Sequence, residues 1–116
     1  MFHSKLIVAV VFITAAIVAC SSSNNQPYVI ADSKAYEASI FRANCAICHG
    51  PEANGKTLTD GRVVPSLRVG PFKFKSEEEI YHQISDGGNG MPPFREQLTE
   101  REMRMMAKFV HDQLRR

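Results

Sequence analysis

Cys45, Cys48 and His49, in the run Cys45-Ala46-Ile47-Cys48-His49, are the residues whose types and spacing could do chemistry together. Thiols three positions apart share one face of a helical turn. So placed, they can bond the two vinyl carbons along one edge of a porphyrin, and the imidazole that follows can swing under the ring to the iron. This is the attachment signature of a c-type haem. Other chemistries compete for the same residues. A redox dithiol calls for a CxxC beside strand–helix–strand alternation, which the chain lacks. Zinc calls for four ligands, and the remaining His82, His111 and scattered carboxylates stand in no paired spacing. A short pattern can also arise by chance; the rest of the chain argues against that.

Iron bound by one imidazole has a second axial position to fill. Met91, Met103, Met105, Met106, His82 and His111 are the candidates. Met91 lies in Asp86-Gly87-Gly88-Asn89-Gly90-Met91-Pro92-Pro93, a stretch that cannot stay helical. Its glycines let backbone pass close to a ring, and its prolines hold the methionine extended. Met103 and Met106 fall on an apolar stripe, Met105 points away from it, and the two histidines read as surface residues. Met91 is therefore the expected axial partner of His49, with a bis-His site as the rival. Such a pair fills both axial positions and favours ferrous iron, which suits one-electron exchange rather than bond chemistry.

The elements that must position these groups read as helices. Ala38, Phe41 and Cys45 recur at helical spacing, so a first helix over about Ser33–Cys48 runs into the thiol pair. Ser76 with Glu79 forms a capping box for a second, over about Glu77–Ser85, ended by Gly87-Gly88. Thr99 with Glu102 forms another for a third, over about Glu100–Leu114, whose stripe is Met103, Met106, Ala107, Val110 and Leu114. Segment 50–75 is rich in Gly and Pro, and wrapping a haem edge would account for so long a loop. The class expected is all-α, three to four helices with long loops around a covalent haem and almost no sheet.

Leu6–Ala19 is an apolar run after Lys5, an export leader too short for a comfortable membrane span. Its end, Ile17-Val18-Ala19-Cys20, resembles the lipobox of bacterial lipoproteins, which places lipid on Cys20. The competing readings are an ordinary cleaved signal or an uncleaved anchor. The organisation expected is a leader over 1–19, a lipidated end and flexible tether over 20–31, and one domain over 32–116. A coil over residues 21–31 spans about 17–20 Å. The three cysteines then divide into two for haem and one for lipid.

With these pieces placed, residues 33–114 resemble a class I cytochrome c, the small monohaem type. Phe41 matches the family's aromatic four before the first haem Cys. Pro65-Ser66-Leu67 is similar to its Pro-x-Leu loop, Gly90-Met91-Pro92 to its distal Met loop, and Phe109 with Ala107 and Val110 to its last helix. Where the family often has Gly at the crossing of its terminal helices this chain has Glu37, and Ala38 is the residue that could make the contact instead. The resemblance implies that the Pro65 carbonyl accepts the free ring N–H of His49. Leu67, Phe72, Phe74, Phe94 and Ile84 are candidates for packing on the haem.

Formal charge is +2, with 14 basic and 12 acidic side chains. Loss of Lys5 with the leader, and two haem propionates, would bring the mature protein close to neutral, so global charge selects no partner. Lys56, Arg62, Arg68, Lys73 and Lys75 face a single Asp60 within 56–75 and could form a docking surface or a solvated loop. Export, the lack of basic excess and the lack of an aromatic platform argue against nucleic acid. The function expected is a non-enzymatic one: a periplasm-facing, lipid-anchored carrier of single electrons between redox proteins. The alternative is a haem-bearing subunit of a dehydrogenase or terminal-oxidase complex.

Overall fold

The computed structural model describes residues 26–115. The leader, the lipobox and Cys20 lie outside them. Helix α1 (Tyr36–Asn44) and the single turn α2 (Ala46–His49) are followed by a two-stranded ladder, β1 (Lys56–Thr57) and β2 (Val63–Val64). Helices α3 (Glu77–Asp86) and α4 (Glu100–Lys108) come next, and α4 continues as a π-helical segment, Phe109–Leu114.

The first expected helix differs at both ends. Residues 30–32 form a turn, and the Ser33 hydroxyl accepts the Ala35 N–H at 3.2 Å, so regular helix begins at Tyr36. The helix then breaks at Cys45, whose carbonyl takes N–H bonds from both Cys48 (3.1 Å) and His49 (2.9 Å). A fresh turn thus starts on the first thiol residue. The other two helices start where their capping boxes place them. Ser76 Oγ accepts from Glu79 N at 3.2 Å while Glu79 receives the Ser76 N–H at 2.8 Å, and Thr99 and Glu102 repeat the exchange. The small ladder pairs Lys56 with Val64 and Thr57 with Val63, antiparallel.

Helix α1 packs against α4, and α3 lies along α4. Phe41 and Phe109 meet edge to face at 6.3 Å where the terminal helices cross, a geometry that adds to the area both rings bury. Ala38 and Ala107 are wholly buried beside them. Met103 and Met106 belong to this core.

The boundary of the domain is the main correction to the expected organisation. Ile30 is fully buried and Tyr28 packs edge to face on Phe109 at 5.1 Å. Residues 28–31 are therefore a strap on the fold and not flexible tether. The reason is long-range: Glu52 receives the Ile30 and Ala31 N–H groups at 2.9 and 2.8 Å.

Candidate functional site

The turn Cys45–His49 hangs from α1 and ends at Gly50. Both thiols are free and half-buried. Burial first, and the neighbouring Cys48 second, push the Cys45 thiol up to about 12. That is the opposite of an activated redox dithiol, whose nucleophile has a depressed value. Among the described residues no group of three or more His, Cys, Asp or Glu gathers to hold a metal ion. Ile47, between the thiols, is 75% exposed; this edge of the turn is open to approach from outside.

Burial lowers the His49 value and keeps the imidazole neutral, the form that ligates metal. Its Nδ1 is buried without a hydrogen-bond partner. The expected bond to the Pro65 carbonyl is thus not made. Leu67 instead anchors its loop through its N–H on the Ala53 carbonyl at 2.9 Å. The loop still comes close to the His49 turn. Gly55 donates to the His49 carbonyl at 2.9 Å, and a Cβ on Gly55 would sit 2.4 Å from the Val64 carbonyl oxygen and 2.8 Å from Pro65. Only glycine fits between the two loops.

Met91 is half-buried in a tight turn. Gly88 N–H meets the Met91 carbonyl at 2.8 Å and Met91 N–H meets the Gly88 carbonyl at 3.0 Å. Gly87 (φ 71°) makes the turn possible: a Cβ there would lie 2.7 Å from the Met91 oxygen and from the Pro93 nitrogen. After Pro92-Pro93 the chain returns to α3 through Phe94 N–H on the Ile84 carbonyl at 3.0 Å. The ladder and the 70s loop both reach across, Arg62 Nη1 to the Gly90 carbonyl at 3.2 Å and Lys73 Nζ to Asn89 Oδ1 at 2.8 Å.

Gln83 was not among the residues singled out from sequence. Its Nε2 lies 3.7 Å from the Met91 sulfur and 2.8 Å from the Gly88 carbonyl, and its Oε1 receives Asn89 Nδ2 at 3.3 Å. The signal was present: Ile80, Gln83 and Ile84 share one helix face, and an amide within an apolar stripe calls for a partner.

Of the remaining axial candidates, Met103 and Met106 are core, and Met105, expected to point away from it, packs partly against it. His82 stands exposed between Glu78 (3.3 Å) and Asp86 (3.6 Å), and His111 is bonded to Asp112 at 2.6 Å. Of the apolar residues suggested around a haem, Phe94 and Ile84 are buried, Leu67 and Phe74 pack partly on the core, and Phe72 lies under the Arg115 guanidinium at 4.0 Å. Pro65 is exposed. The donor set thus fits an iron porphyrin: two free thiols on one turn, a neutral half-buried imidazole beside them and a thioether fixed on a separate loop.

Fold and site together define a small helical c-type cytochrome. Residues 35–110 match the family described as cytochrome c oxidase, cbb3-type, subunit III, and the chain belongs to this cytochrome c family as a monohaem class I member carrying one covalent haem c. It is similar to cytochrome c6 of Thermosynechococcus vestitus, at 31% identity over 87 residues, 75% of this chain and 76% of that one. It is also similar to the cbb3-type cytochrome c oxidase subunit FixP of Sinorhizobium medicae, at 34% over 84 residues, 63% of this chain but 27% of that protein. The solved structure of the KustC0563 c-type cytochrome superposes with a TM-score of 0.57 at 28% identity, covering 67% of this chain and 95% of that one. The chain is an electron carrier and not an enzyme.

Proposed function

We propose that this cytochrome is a membrane-tethered shuttle. In this reading Cys45 and Cys48 would hold the haem through thioethers, each thiol adding its S–H across a vinyl group. His49 and Met91 would be its iron ligands. The bound haem supplies a reversible one-electron couple; the chain supplies its ligands, its orientation and a largely dry surround. A neutral imidazole and a thioether change little between oxidation states, so the transfer needs little rearrangement. The open edge at Ile47 supports exchange along the side that carries the thiols. Lipid on Cys20, followed by the short segment ahead of Tyr28, would keep the domain beside the periplasmic face of a membrane and its redox partners. Among the described residues no helix is long and apolar enough to cross a membrane.

The observation that carries the axial assignment is the Met91 turn, closed by backbone bonds and with Gln83 placed at the sulfur. The test is the optical spectrum of the exported protein beside Met91→Ala. A thioether-to-ferric charge-transfer band is expected in the parent and absent from the variant; its survival in the variant would reject Met91. Cys20→Ser should release the protein from membranes. The likeness to FixP favours one second reading, a haem-bearing subunit of an oxidase complex. Stoichiometric co-purification with such a complex from native membranes would establish that reading in place of a free shuttle.

A further inference from the structure

We propose that the strap over residues 28–31 is a working part of the haem site: with Glu52 and Arg68 it forms a latch that holds together the two loops flanking His49. The first loop follows His49 directly and carries Glu52. The second carries Pro65, Leu67 and Arg68. Glu52 receives Ile30 N–H on Oε2 (2.9 Å) and Ala31 N–H on Oε1 (2.8 Å). Arg68 Nη2 donates to Glu52 Oε2 (3.0 Å) and to the Tyr28 carbonyl (2.7 Å), and Arg68 Nε donates to the Glu52 carbonyl. One carboxylate and one guanidinium thereby join three segments.

The pair is shielded, with side-chain exposures of 12% for Arg68 and 30% for Glu52. Bonds between charged groups and amides are stronger than neutral ones, and breaking one partner of a shielded pair leaves the other uncompensated. The strap is fixed independently on its far side. Ile30 is fully buried, and Arg42 Nη1 donates to the Ile30 and Ser33 carbonyls at 2.5 and 2.9 Å. Core packing therefore anchors the latch.

The latch sits where it can position the ligand. Glu52 is three residues beyond His49, and the turn between them is closed by Ala53 N–H on the Gly50 carbonyl and Gly55 N–H on the His49 carbonyl. Arg68 adjoins Leu67, whose N–H crosses to Ala53. Ser66 Oγ receives the Arg68 and Val69 N–H groups at 3.0 and 3.1 Å and fixes that end. The strap precedes the family match, which begins at residue 35, whereas Glu52 and Arg68 lie within it. Glu52 and Arg68 touch neither thiol nor the imidazole; they are positioning residues.

The test uses the full-length haem-loaded protein, with Arg68→Lys and Glu52→Gln against Tyr36→Phe. The last removes the 2.6 Å bond from Tyr36 to Glu102 between the terminal helices and leaves the latch intact. Three quantities are read in the reduced protein and on titration: amide exchange, the resonances of the His49 ring and the Met91 methyl, and reduction potential. For both latch variants we expect the Gly55 and Leu67 amides to lose about tenfold or more in protection, beyond any change at Phe94 on the other side of the site. The His49 ring resonances should move while the Met91 methyl stays, and the potential should fall as water reaches the loosened side. Tyr36→Phe should lower the melting temperature without any of these changes. Equal loss of protection at Gly55, Leu67 and Phe94, or unmoved His49 resonances, would overturn the latch. Glu52→Gln keeps an oxygen for one strap amide and is the milder variant, so folding failure of Arg68→Lys does not decide the matter. The inference rests on His49 as axial ligand. Were that wrong, the parent protein itself would lack the large upfield shifts of a haem-bound imidazole, and the two failures are thereby told apart.

Discussion

The His49 side and the Met91 side of the site are built by different means. Around His49 the contacts are long-range and mostly part-buried: the Ile30 and Ala31 amides reach Glu52, the second of them at the surface, and Arg68 reaches the Tyr28 carbonyl across 40 positions. Around Met91 the main contacts are local and exposed. A four-residue turn, Gln83 and Asn89 hold the loop together, with Arg62 and Lys73 touching it from outside. Chain entropy explains the division. A tight turn rich in glycine costs conformational freedom but little loop closure, so it can form and reopen without disturbing the core. The His49 side can open only with part of the core. One side therefore serves as a frame and the other as an adjustable contact.

That contrast can be broken most forcefully at Ile30. Ile30→Ala should cost about 2–5 kcal/mol of global stability, as expected for a fully buried aliphatic side chain, measured by denaturant unfolding of the haem-loaded protein. A cost below about 1 kcal/mol would mean that the strap does not belong to the frame.

Gly87→Ala should act next most strongly and in a different place. Its positive φ and the 2.7 Å approach to the Met91 oxygen impose about 1–3 kcal/mol of strain. The cost should fall on the turn, bleaching the thioether charge-transfer band while most of the melting temperature is retained. A fall in melting temperature as large as that of Ile30→Ala, with the band intact, would erase the distinction.

Acid should separate the sides as well. Burial raises the Glu52 value, but the Ile30 and Ala31 amides and Arg68 outweigh it and leave the carboxyl below its ordinary range. A carboxylate depressed in the folded state contributes stability that is full above its unfolded value, near 4.5. That contribution is lost as pH falls through the folded value. Amide exchange at Leu67 should therefore quicken at acid pH before exchange at Phe94, and Glu52→Gln should remove the difference. Equal acid sensitivity of both amides in the parent would contradict the assignment.

The smallest effect is expected at Gln83. A weak hydrogen bond to sulfur withdraws electron density and disfavours ferric iron. Gln83→Leu should lower the potential by about 20–40 mV, the equivalent of roughly 0.5–1 kcal/mol for one electron, with stability nearly unchanged. An unaltered potential would leave Gln83 as a turn residue alone.

These features were unevenly legible in the sequence. The starts of α3 and α4 could be read because a capping box is complete within four residues. The thiol turn and the Met91 loop could be read because spacing and glycine content are local as well. The strap could not. A polar run ending at Pro27 resembles a tether, and nothing near Ile30 announces a carboxylate 22 positions on. The break at Cys45 was hidden for a related reason. Helical periodicity continues through it, while the carbonyl that starts the new turn is a backbone group that side chains do not advertise. The Pro65 contact to His49 came from family resemblance, and here that loop is fixed by Ala53, Gly55 and Ser66 instead.

The basic loop has one further consequence. Arg62 is paired with Asp60, Arg68 is shielded with Glu52, and Lys73 leans over Phe74 while holding Asn89. The two arginines, neutralised within their own scaffold, cast little field beyond a Debye length. They would add little electrostatic guidance to encounters with an acidic surface, so replacing either should change the ionic-strength dependence of the bimolecular rates only weakly.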